Sequence, residues 1–285
     1  QELIKNYQKN NLELPRSLSL LIGNVHAAKG ENRIIKNDID FNRIWDDNGS
    51  RKHIWPRQVL EEMKSRSPYA AIDVHNNTGL NPYYACVNNL EKHSLKLASN
   101  FNKTIMFFEK PHEVLSMAFS SFCPATTIEC GLSGDIKGIE EAYKFIKFIF
   151  ESEEITLPVN SMEKLKIYHT MAKIRVPDES KIAFDKFQGF HSKDVDFLFS
   201  PNFDYFNFSN VEEKTLLGHR FNKNLELSIV NDEGEEISDN YLIYDGEEIR
   251  LKKGIIPSMF TKNIDVIYQD CLGYLMERIP FPHND

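Results

Sequence analysis

The sequence predicts an α/β protein: a mostly parallel sheet flanked by helices over residues 1–158, then a smaller β-rich domain over residues 159–285. Three observations predict it. Short apolar runs alternate with amphipathic helical stretches through the first half, the pattern of a parallel sheet covered on both faces. After the acidic cluster at 151–154 the texture changes to polar–apolar alternation with a period of two, broken by turn signals. The 285 residues, 41% hydrophobic and 27% charged, with 20 Phe and 11 Tyr, can fill a substantial aromatic core.

Taken in order, residues 1–7 read as the body of a helix with no cap before it, so the sequence is expected to begin inside a longer protein. Residues 17–22 form a compact apolar run ending at Gly23-Asn24, the pattern of a buried strand with a loop at its carboxyl end. Residues 55–64 read as a helix with Pro56 in its first turn. A second strand is expected over 69–75, stopped by the polar run 76–79; a helix over 90–101 and a short strand over 105–108 follow. Residues 125–130 read as a strand broken at Gly131. The next helix runs over 138–150, where Ile139, Ala142, Tyr143, Ile146 and Ile149 recur at helical spacing. Beyond the joint near 155–162, β-like runs are expected at 163–176, 197–199, 203–208, 225–230 and 241–244, with turns at 231–234 and 245–246.

Charge and cysteine usage narrow the function. A formal charge of −8 argues against a nucleic-acid or anionic-membrane partner, which would need an excess of Lys and Arg. No run approaches the roughly 18 apolar residues of a spanning helix. Cys86, Cys123, Cys130 and Cys271 sit at no metal-ligand spacing, so free thiols and a reducing, cytoplasmic setting are expected. The N-x-[ST] triplets at Asn76, Asn102 and Asn207 are expected to be chance occurrences.

In α/β sheets ligands sit beyond the carboxyl ends of the strands, and Asn24, His75 and Glu129 all fall at or just past such ends. His75, two residues after Asp73, has the setting of a metal ligand whose second ring nitrogen is fixed by an acceptor; hydrogen bonding at a strand end is the alternative. Glu129 lies between Ile128 and Cys130, where partial desolvation raises a carboxylate toward general-base range; a structural pair with an arginine is the alternative. Arg33 and Arg43 could fork a carboxylate or face an oxyanion, or simply pair with Asp38 and Asp40. His26 lies in the Asn24 loop, and the remaining histidines (His53, His93, His112, His169, His191, His219, His283) show no ligand spacing.

Read together, G-N-x-x-A from Gly23, Arg33, the D-F-N-R run from Asp40, the D-x-H run from Asp73 and the I-E-x-G run from Ile128 make a pattern. It resembles the succinylglutamate desuccinylase/aspartoacylase family, a branch of the zinc carboxypeptidase-like hydrolases. Residues 202–207 look like that family's second domain, so the resemblance spans nearly the whole chain.

The resemblance implies one Zn2+ held by two His and one Glu, cleaving the amide bond of a small-molecule N-acyl amino acid. By position, His75 matches the third zinc ligand and Glu129 the carboxylate that activates water. Arg33 matches the group that polarises the scissile carbonyl, and Asn42 and Arg43 the pair that binds the substrate carboxylate. The family's H-x-x-E motif is absent: no His is followed by Glu three residues later. The other two ligands are therefore expected upstream of Gln1, and residues 1–285 alone are expected to bind zinc poorly and to turn over little. A zinc carboxypeptidase acting on short or cell-wall peptides, and a metal-free carboxylate-binding homologue without catalysis, are the rival readings.

Overall fold

The computed structural model describes residues 2–30, 32–35, 38–46, 54–157, 164–186 and 195–281. His53, His191, His283 and part of the expected joint near 158 lie outside the described residues.

Seven helices and thirteen strands are seen among the described residues. In the first half these are α1 (Glu2–Lys9), α2 (Val25–Lys29), α3 (Ile54–Arg66), β1 (Ala71–Asn77), β2 (Tyr84–Val87), α4 (Lys92–Phe101), β3 (Thr104–Phe107), α5 (Leu115–Ser120), β4 (Ala125–Leu132) and α6 (Ile136–Glu151). There follow β5 (Lys166–Arg175), β6 (Ile182–Phe184), β7 (Phe197–Phe199), β8 (Leu216–Arg220), β9 (Ser228–Asn231), β10 (Leu242–Asp245), β11 (Glu248–Leu251), β12 (Ile256–Ser258), α7 (Ile264–Gln269) and β13 (Gly273–Ile279).

A large sheet runs in the order β1-β4-β2-β3-β5-β13-β12, with β9 also pairing β5. It is mixed rather than mostly parallel. The pairings β1–β4, β2–β3 and β3–β5 are parallel, while β2–β4, β5–β13, β12–β13 and β5–β9 are antiparallel. The large sheet also runs across residue 158, since β5, β9, β12 and β13 all belong to it. A second, five-stranded sheet in the order β10-β11-β8-β7-β6 forms entirely from residues beyond 159.

The period of two along each strand sorts side chains between the two faces. Ile72, Ile128 and Cys130 face one layer, where Leu95 and Ala98 of α4 and Ala142, Phe145 and Ile149 of α6 bury. Asp135 caps α6, its carboxylate accepting from the Lys137 amide at 3.0 Å. Gly138 lets that helix close on β4: a Cβ there would lie 1.7 Å from the carbonyl oxygen of Cys130. Ala71 and Ala125 face the other layer with α3, α5, Ile44 and Trp45. Over the second sheet, Phe197, Phe199, Phe203 and Phe260 form the aromatic core, Phe203 stacking on Phe260 at 4.3 Å between centroids.

Two expected strands do not form. Residues 17–22 lie as an irregular strap whose apolar side chains face solvent: Leu20 is 72% and Ile22 64% exposed. A strand needs a neighbour for its amides and carbonyls, and among the described residues this segment has none; β1 ends the sheet with its outer edge likewise unpaired. Residues 203–206 form a 3₁₀ turn, because Phe203 and Asp204 both turn inward there, Asp204 toward the Leu80 amide at 3.4 Å. Asn24, expected at a strand end, instead caps α2 through the Ala27 amide at 2.9 Å. Asn207 is buried and bonded to the Phe260 backbone at 2.8 and 2.9 Å.

Candidate active site

The site is built on the face of β1 and β4 that Ala71 and Ala125 also occupy. Asp73 and His75 share that face two residues apart, and the parallel register sets His75 directly beside Glu129. The Asp73 carboxylate approaches His75 Nε2 at 3.0 Å, and Glu129 Oε1 lies 3.8 Å from Nδ1. Beside them across the sheet, Tyr84 and Cys86 of β2 belong to a buried cluster with Met106, Tyr168 and Met276. Tyr84 is paired with Glu129 across β2–β4 and donates from its hydroxyl to Asn77 at 3.4 Å.

Burial dominates the electrostatics. Glu129 is 6% exposed, and its Oε2 is buried without a hydrogen-bond partner. Burial pushes its carboxyl up to about 7 against the pull of His75 and Arg33. Burial would lower His75, but the Asp73 carboxylate, its hydrogen bond and Glu129 outweigh it, holding the imidazolium up to about 9. A carboxyl near neutrality can both take and return a proton. Its own Oε2, buried and without a partner among the described residues, is left with unused hydrogen-bonding capacity in the site.

The arginine segment packs against this face through its apolar residues. Phe41 and Trp45 pack on Trp55 at 5.4 and 5.6 Å between centroids, and the Trp45 amide donates to Glu113 at 3.1 Å. Just before those anchors Asp40 caps the Phe41–Arg43 turn, accepting from the Asn42 amide at 2.9 Å. Asp40 also pairs with Arg33 at 2.8 Å, which raises the guanidinium's pKa although burial opposes it. Arg33 therefore does carry the ion pair expected of a surface loop, yet it lies within electrostatic reach of both His75 and Glu129. Arg43 Nη1 donates to the Asn42 carbonyl at 2.8 Å and Nη2 lies 3.5 Å from Asp270 Oδ2. The Asp38 carboxylate accepts from the amide of its neighbour Ile39 at 2.8 Å.

Three residues of this cluster carry no signal in the sequence. Asp270 follows α7 and accepts from Lys173 Nζ at 2.8 Å; burial would raise its carboxyl, but Lys173, Arg43 and Arg33 hold it below the usual carboxylate range. Tyr274 pairs with Lys173 across β13–β5. Lys173 and Tyr274 also form one wall of a cavity of about 320 Å³, whose other sides are the Lys110–Glu113 loop, Arg175 and the end of β9.

For a metal, the donor chemistry fits one ligand position. His75 offers an imidazole whose other nitrogen is oriented by a carboxylate, the usual outer-shell arrangement. Among the described residues no group of three His, Cys, Asp or Glu could hold a metal ion, so the described side chains do not by themselves complete a site.

No family model and no curated protein matches this sequence. Solved structures do. Succinylglutamate desuccinylase from Vibrio cholerae superposes with a TM-score of 0.60 at 13% identity, covering 100% of this chain and 77% of that one. The Chromobacterium violaceum succinylglutamate desuccinylase gives 0.56 at 12% identity, over 99% and 79%. Murine aminoacylase 3 gives 0.54 at 14%, over 98% and 90%. Along essentially its whole length, this chain has the fold of the succinylglutamate desuccinylase and aminoacylase structures.

Proposed function

We propose that this protein is a deacylase that hydrolyses the amide bond of an N-acyl amino acid. The observation that carries the reading is the convergence of a buried carboxyl near neutrality, Glu129, with Arg33 and the Asn42–Arg43 turn around the face that holds His75. Glu129 takes a proton from the attacking water as the carbon–oxygen bond forms, then returns it to the departing nitrogen as the carbon–nitrogen bond breaks. Arg33 faces the negative charge that develops on the carbonyl oxygen. Arg43, with Asn42 beside it, holds the substrate carboxylate in a charge-assisted fork. A Zn2+ ion, with His75 as one ligand and two ligands from upstream of Gln1, would supply an activated water at neutral pH.

Two further features agree with this setting. All four cysteines are buried free thiols, which suits a reducing compartment such as the cytoplasm. No helix among the described residues is long and apolar enough to cross a membrane.

Elemental analysis of residues 1–285, and of the same protein extended upstream to its natural start, tests the reading. Zinc near one equivalent in the extended protein alone is expected. In that protein Glu129→Gln should keep the metal and lower kcat on the order of 10²–10⁴-fold. Unchanged turnover would remove Glu129 from the reaction. Because the described residues hold no three-donor set, absence of zinc from both proteins would favour a metal-free carboxylate-binding protein.

A further inference from the structure

Arg43 is held at two points. Its Nη1 bonds to its own turn, at the Asn42 carbonyl, and its Nη2 lies 3.5 Å from Asp270. A guanidinium carries five donors in one rigid plane, so fixing two of its nitrogens sets the direction of the rest. Asp270 is itself well placed to be an anchor. Its amide donates to Val266 at 2.9 Å as α7 ends, and two residues later the Leu272 amide donates to Ile174 at 2.9 Å as the chain enters the large sheet. Its second carboxylate oxygen is taken by Lys173 of β5 at 2.8 Å. One carboxylate therefore ties the arginine turn, which is otherwise attached through Trp45 and Phe41, to the centre of the sheet.

We propose that Asp270 is a positioning residue that aims Arg43 at the substrate carboxylate. The inference rests on the deacylase reading for the identity of that carboxylate, but not for the tie itself. Charge and position pull in opposite directions here, which makes the idea testable. Arg43, Lys173 and Asp270 together carry one net positive charge, from two cations and one anion. Asp270→Asn raises that to two, so a site working by charge alone would bind an anionic substrate more tightly. A site in which Asp270 aims Arg43 would bind it less tightly.

The experiment uses the upstream-extended protein with zinc bound. For N-acetyl-L-alanine, Asp270→Asn is expected to raise KM about tenfold with kcat changed less than about threefold. The KM for N-acetyl-L-alaninamide, which lacks the carboxylate, is expected to stay put. Asp270→Glu should restore most of the loss. A KM that is unchanged or lower in Asp270→Asn overturns the proposal.

A second readout needs no turnover. The Nε–H resonance of Arg43, assigned by its loss in Arg43→Lys, should be rigid in the parent and mobile in Asp270→Asn. It should stay rigid in Lys173→Met, where Asp270 still faces Arg43. Equal rigidity in parent and Asp270→Asn also overturns the proposal. If the parent cleaves neither probe while Arg43 loosens in Asp270→Asn, the substrate reading fails and the positioning role stands.

Discussion

Replacing Gly138 by Ala sets two effects of known size against each other. Gly138 is inside α6, where Ala is favoured over Gly by about 1 kcal/mol because it restricts the unfolded chain and shields the helix backbone. Propensity alone thus predicts a more stable protein. The contact predicts the reverse. A Cβ at 138 would stand 1.7 Å from the Cys130 carbonyl oxygen and 2.8 Å from its carbon. Both are backbone atoms of β4, with no flexible side chain to move aside, so the helix must withdraw by roughly 1.5 Å to regain ordinary contact. Overpacking of a fitted core costs about 1–3 kcal/mol, and a backbone-on-backbone clash belongs at the upper end. The net loss is then about 2 kcal/mol, or about 4–8 °C in Tm for a protein of this size. Thermal unfolding followed by circular dichroism measures it, with Gly23→Ala as control, since nothing lies within 4 Å of a Cβ there. A Tm that rises in Gly138→Ala would refute the close approach of α6 to β4. The residue before Cys130 is Glu129, so the same substitution should reduce turnover even where the fold survives.

Two more outcomes follow from the second sheet and its neighbourhood. Phe203→Ala, removing a ring that is 1% exposed and stacked on Phe260, should cost about 3–5 kcal/mol; a loss under about 1 kcal/mol in urea titration would mean the stack is not the core it resembles. The Asp196 carboxylate accepts from the Lys181 amide at 2.7 Å and from Asn222 at 2.9 Å, and these bonds hold it below the usual carboxylate range. Its contribution to stability is therefore complete above its unfolded value of about 3.9 and is lost as pH falls through that value toward the lower folded one. Asp196→Asn should flatten the acid limb of a Tm-against-pH curve, and an unaltered limb would count against it.

Local pattern made much of the first half legible. The strand at 125–130 and the helix after it follow from apolar spacing, and Ala142 and Ile149 bury as that spacing expects, but Ile139 is 63% exposed while Gly138, Phe145 and Phe150 bury instead. That Asp73 and His75 share a face was legible too, because two residues along a strand share a side, whereas Glu129 joins them only through the β1–β4 pairing. What local pattern could not supply was the pairing of distant strands. Asp270 and Lys173 are 97 positions apart and meet only because β13 folds back antiparallel onto β5. The mixed order of the large sheet has the same cause, since a period of two is identical in parallel and antiparallel strands. Residues 17–22 have the composition of a strand, but composition cannot provide the neighbour that a strand requires.

That strap and the bare outer edge of β1 bear on how the protein behaves in a tube. Among the described residues the outer edge of β1 has no strand partner, and Val74 on it is 50% exposed; such an edge is a template on which another chain can add a strand. The strap offers an exposed apolar segment of the right length to do so. Residues 1–285 should therefore associate as concentration rises, with a gain in β-sheet signal. Lysine substitutions at Leu20 and Ile22 should keep them monodisperse without touching the fold, because neither side chain is buried.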